Sequence, residues 1–126
     1  MKRGFTLIEL IVVITIIAVL TAIGVVSSGG VTKKSRDSRR MADLEKYRVA
    51  LEMARQVGST YPADLNTLVG ESLVPQILSD PKGFAYKYVG ANYSYNLYAQ
   101  MEDLGSTNIS PMAGCGGNCN YSVTNP

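Results

Sequence analysis

The chain has 126 residues, with no His, no Trp and only two Cys. That length excludes two ordinary globular domains, and the missing His removes the commonest metal ligand and the commonest general base. The formal charge of +2 averages unlike segments: Lys2 and Arg3 at the start, an uncharged run over residues 10–26, eight bases against four acids over 30–55, and two bases against five acids over 56–126. A basic tip, an apolar rod, a basic rod and a mildly acidic head describe a membrane-associated chain better than a nucleic-acid-binding one.

Residues 5–26 would measure about 33 Å as an α-helix, enough for a bilayer core of roughly 30 Å. Fourteen of them are β-branched, a composition that favours strands in water. Length decides for helix, because strands run about 4–8 residues and no turn residue interrupts the run before Gly24. A cleaved secretory signal, with Val25 and Ser27 at a weak cleavage site, is the plainer reading of a basic tip before an apolar run. Glu9 opposes it, because a carboxylate inside the run is penalised by the membrane and has no use in a simple secretory signal.

The residues Lys2-Arg3-Gly4-Phe5-Thr6-Leu7-Ile8-Glu9-Leu10 resemble, nearly position for position, the class III signal sequence of type IV pilins and pseudopilins. The resemblance implies that a prepilin peptidase cuts between Gly4 and Phe5 and that Phe5 becomes N-methylated. It implies a retained apolar helix, an inner-membrane assembly platform and a helical homo-oligomeric filament. On that reading residues 1–4 are leader, 5–26 transmembrane and later filament-core helix, 27–56 its amphipathic extension, and 57–126 a small pilin head. Glu9 lies about 6 Å along the helix from the new amine, one turn deeper, so it needs a cationic partner. The resemblance points to the Phe5 amine of a neighbouring subunit, which makes Phe5 and Glu9 the assembly pair.

Five Lys and Arg follow the apolar run closely against two before it, and by the positive-inside rule this places the head in the cytoplasm. The resemblance places it outside the cytoplasmic membrane, then on a cell-surface filament, and the four-residue leader is read by a dedicated peptidase. We follow the resemblance.

One helix is expected over residues 6–56, with Ser27-Ser28-Gly29-Gly30 as its weak point. Met41, Leu44, Tyr47, Leu51 and Ala54 recur at spacings of three or four and should pack under the head, leaving Arg40, Asp43, Glu45, Arg48, Glu52 and Arg55 on other faces. The basic run over 33–40 reads as a solvated face or an inter-subunit contact, with nucleic acid the weaker reading.

In the head, residues 62–69 read as a short helix ended by Gly70, and 80–83 as a turn. Phe84, Tyr86 and Tyr88 alternate as a strand, 90–92 turn the chain, and Tyr93, Tyr95, Leu97 and Ala99 form the apolar face of a second strand, with Tyr121 and Val123 in a third. The fold class is α+β: a long N-terminal helix on a small antiparallel sheet, similar to the pilin head. The eight Tyr are strand residues that pack. Glu102 and Asp103 alone do not make the acidic loop of calcium-binding pseudopilins, so no metal and no cofactor are expected. Cys115 and Cys119 offer too few ligands for zinc, and in an exported head they form a disulfide. No Gly-x-Ser-x-Gly, phosphate loop or His-based triad is present, so the chain reads as a structural subunit and not an enzyme. A pseudopilin of a type II secretion or DNA-uptake system is the alternative to a pilus subunit.

Overall fold

The computed structural model describes residues 4–125, without the side chains of residues 25–28. Lys2 and Arg3 of the expected leader, and the Ser27 and Ser28 side chains of the expected weak point, lie outside the described residues. The fold is α+β, with helices α1 (Leu7–Gly58) and α2 (Asn66–Gly70), strands β1 (Lys87–Ala91) and β2 (Ser94–Ala99), a 3₁₀ turn (Leu104–Ser106), and strands β3 (Met112–Ala113), β4 (Asn118–Cys119) and β5 (Tyr121–Thr124). Two compact units divide at Lys33/Lys34.

In the first unit, the β-branched run is helical. Its side chains are exposed to the surroundings (Leu10 60%, Leu20 64%), and an 18-residue window reaches a mean hydropathy of 2.9. By length and composition this helix is able to cross a membrane. A helix satisfies its backbone internally, as hydrocarbon demands, and the two mid-run threonines hide their hydroxyls the same way. Thr15 Oγ1 donates to Val12 O at 2.8 Å and Thr21 Oγ1 to Ile17 O at 2.7 Å.

In the second unit, the stripe read from spacing becomes the core. Leu44, Tyr47, Leu51 and Ala54 of α1 are buried with Leu65, Leu68 and Val74, and with Tyr95, Leu97 and Ala99 from the inner face of β2. The sheet has the order β1-β2-β5, antiparallel throughout, with Tyr88 opposite Leu97 and Leu97 opposite Val123. β3 and β4 form a separate short ladder that carries Cys119.

Four local expectations shift. The hairpin turns at Asn92-Tyr93, between paired Ala91 and Ser94, and not over 90–92; Gly90 lies within β1. A Cβ on Gly90 would clash with the hydroxyl end of Tyr88, so this glycine marks a close approach within the strand. Tyr93 consequently sits at the turn, 70% exposed, and not on the apolar face of β2. Helix α2 starts at Asn66 and not near Pro62, because the Asp64 carboxylate accepts from Asn66 N at 3.1 Å in an Asx turn and Pro62 O accepts from Tyr88 Oη at 2.5 Å. Finally, β1 starts only at Lys87, since Phe84 N bonds to Asp80 Oδ1 and Ala85 N to Cys115 O.

Candidate functional site

Thr6 and Glu9 form a reciprocal cap at the start of α1. Glu9 N donates to Thr6 Oγ1 at 3.4 Å, while Thr6 N and Thr6 Oγ1 donate to Glu9 Oε2 at 2.9 and 2.8 Å. This is the Thr-x-x-Glu capping box, which satisfies amide groups that no helical turn precedes. The Thr6-to-Glu9 spacing of three, legible in the sequence beside the Phe5-to-Glu9 spacing of four, is the signal for this cap. The other oxygen, Glu9 Oε1, accepts no hydrogen bond among the described residues. Gly4 and Phe5 are exposed, Phe5 to 85%, and Phe5, Ile8, Glu9, Val12 and Val13 line one shallow groove. Phe5, just before α1, and Glu9 thus border the same groove.

Residues 1–25 match the prokaryotic N-terminal methylation motif. The chain carries the class III signal sequence of type IV pilins. A pilin-type signal accounts for a carboxylate at the head of an apolar helix that no secretory signal requires, and together with that helix it fits a membrane-anchored pilin. Comparison with curated proteins and with solved structures finds no match.

The head holds a feature that sequence spacing did not reveal. Arg40, assigned to an outer face by spacing, is fully buried, and Asp43 is 3% exposed. The Arg40 guanidinium meets three carboxylates: Asp80 Oδ2 from Nε at 2.5 Å, and Asp37 Oδ1 and Glu102 Oε1 from Nη1 at 2.6 and 2.9 Å. Arg36 grips Glu102 through Nε and Nη2, both at 2.6 Å, and Lys82 Nζ adds a contact at 3.2 Å. Three cations therefore face three carboxylates. Asp37 also accepts from Glu102 N and Asp103 N, and Asp80 from Lys82 N and Phe84 N, so each acid ties a loop to α1.

Positions 36, 40, 43, 44, 47 and 51 lie on one helical stripe, so the buried face of α1 continues past its apolar part into ionic residues. The helical period could have placed Arg40 there. Its partners could not be named, because Asp80 and Glu102 lie 40 and 62 residues away in sequence. Burial alone would lower the Arg40 pKa, but the bonds to Asp80, Asp37 and Glu102 outweigh it and raise it. The Arg36 bond holds Glu102 well below the usual carboxylate range, and Asp80 is lowered by Arg40 against its own desolvation. The cluster acts as a rivet between α1 and two loops.

A second set of polar contacts serves the aromatic residues. Tyr61 and Tyr95 hydroxyls both donate to Glu52 Oε1, at 2.9 and 3.3 Å, and Tyr86 donates to Asp43 at 3.0 Å. Tyr61 and Tyr95 meet edge to face with centroids 4.7 Å apart. Cys115 and Cys119 are both buried and joined as a disulfide with Cα atoms 5.3 Å apart. Gly116 inside that ring has φ +76°, a conformation open to glycine and strained for other residues. Among the described residues no group of three or more Cys, Asp or Glu is arranged to hold a metal ion.

Proposed function

We propose that the chain is the structural subunit of a type IV pilus-like filament. In this reading prepilin peptidase cuts between Gly4 and Phe5, Phe5 is N-methylated, the helix over residues 5–26 anchors the subunit in the cytoplasmic membrane with its head outside, and an inner-membrane platform extracts it into the filament. The observation that carries it is the methylation motif on a helix apolar enough to span a bilayer. Glu9 supplies the assembly contact. One carboxylate oxygen closes the cap on Thr6, and the other is open to the cationic Phe5 amine of a neighbouring subunit. Such a pair neutralises two charges that are each expensive in hydrocarbon and fixes the step between subunits.

Glu9→Val is expected to leave cleavage and membrane insertion intact, read as a processed chain that begins at Phe5 by N-terminal sequencing, and to abolish filaments in sheared preparations. Normal filaments from this variant would refute the Glu9 role. Long surface filaments in the wild type, with adhesion or motility lost on deletion, separate the pilus from a secretion or DNA-uptake fibre, whose deletion abolishes export or transformation instead.

A further inference from the structure

The head carries an apolar groove and an apolar knob on opposite flanks of α1, each with an unpaired charge of opposite sign beside it. The groove, of about 610 Å³, lies between α1 and the segment after α2; Ala42, Val49, Met53, Pro75 and Leu78 are among its apolar lining, and its two charged lining residues, Glu45 and Lys46, are already paired with Arg48 and Asp43. Val49 and Met53 are 52% and 48% exposed. Arg39, one turn before Ala42 on the same stripe, is exposed and makes no ion pair among the described residues.

The knob is Leu104, 83% exposed at the start of the 3₁₀ turn. It is exposed, yet the backbone on both sides of it is tied by hydrogen bonds. Asp37 binds the backbone amides of Glu102 and Asp103 at 3.0 and 2.8 Å, Asp103 caps the turn through Gly105 N at 3.1 Å, and Thr107 Oγ1 bonds to Leu104 O at 3.0 Å. Asp103 is exposed, and its carboxylate is in no ion pair among the described residues. Successive helical residues rotate by about 100°, so Ala42, Val49 and Met53 are turned roughly 120–160° from Asp37, the residue that holds the knob segment.

We propose that Leu104 of one copy seats in this groove of the next, with Asp103 meeting Arg39, as the head-to-head contact of the assembly. The proposal rests on the filament reading above and deepens it. A knob and a groove on different faces of the same chain make a heterologous contact, the kind that builds an open helix, as a filament requires, when its rotation does not close into a ring. A preorganised anchor loses little side-chain and loop freedom on binding, which suits Leu104 to this role. One such knob is far below the area of a stable soluble dimer, so the contact works between copies already held side by side by their helices.

The test places a photoactivatable benzophenone amino acid at position 104 of the full chain in the cells that produce it. Cross-linked dimers of the chain, joined by mass spectrometry to the groove residues, are expected. Leu104→Ser and Asp103→Asn, which keeps the acceptor for Gly105 N, should each cut surface filament yield about tenfold, as loss of a central anchor does. Disulfide formation and head circular dichroism should remain unchanged in both. Filaments with no dimer cross-link from position 104, a link mapped elsewhere on the chain, or adducts only with lipid or a different protein would overturn the proposal while leaving the filament reading standing. A wild-type chain that forms no fibre at all overturns both.

Discussion

Arg40 shows how much rests on one side chain. Its burial is tolerable only because three carboxylates and the Phe84 ring, 5.5 Å from the guanidinium carbon, surround it. Arg40→Met removes the central cation and leaves Asp37 and Asp80 buried without it, so the head should lose about 3–5 kcal/mol, read by denaturant unfolding of the full chain in detergent. The pH dependence follows from the signs. Glu102 and Asp80 have folded pKa values below their unfolded ones, so their stabilisation is fully present above about pH 4–5 and drains away as acid approaches the lowered values. Acid titration should therefore soften the wild-type head, and Arg40→Met should flatten that profile. A smaller residue-level effect sits at Ser59, which ends α1 with φ 64° and donates its N–H to Arg55 O at 2.8 Å. A left-handed cap of this kind favours Gly, and Ser59→Gly should stabilise the head by about 1 kcal/mol, a rise of roughly 4–8 °C in Tm.

At the scale of the elements, α1 is read two ways along its length. Over residues 41–54 its stripe faces β2, and the register that sets Tyr95, Leu97 and Ala99 inward completes the core. Leu51→Ala opens a cavity there and should cost about 2–5 kcal/mol. The same variant should be cut after Gly4 at the wild-type rate, because nothing in the signal is touched; calorimetry and N-terminal sequencing check the two halves. The sheet is short, and α1 covers the apolar face that Tyr95, Leu97 and Ala99 present. The hairpin illustrates why boundaries were less legible than elements. Alternating apolar residues located both strands, but Gly90 pairs with Tyr95 inside β1, beneath the Tyr88 hydroxyl, and the turn falls at Asn92-Tyr93.

For the whole molecule, the two units answer to different solvents. The first exposes an apolar run over residues 10–24, whereas the second buries its own core and its own ion cluster. Ile14→Lys puts a charge near the middle of the apolar run, where insertion costs about 2.5–3.5 kcal/mol per charge. Membrane fractionation should show a large loss of inserted chain. Disulfide formation and near-ultraviolet circular dichroism of the head in detergent should stay unchanged, because no residue of the second unit's core lies in that run.

By itself the sequence determined the N-terminal signal, through its resemblance over residues 2–10, and the apolar helix, the amphipathic stripe and the sheet strands around Tyr95 and Leu97, because these elements are written in local spacing that one element's period can read. Tertiary structure alone decided which charges go inside. Arg36 and Arg40 were counted with a solvated basic run, and only the fold brings Asp80 and Glu102 to them across 40 and more residues, where attraction in a dry environment can balance the loss of water. It also decided what stays outside: Leu104 and the groove along Ala42, Val49 and Met53 look like ordinary core residues in the sequence, and only the completed packing leaves them uncovered.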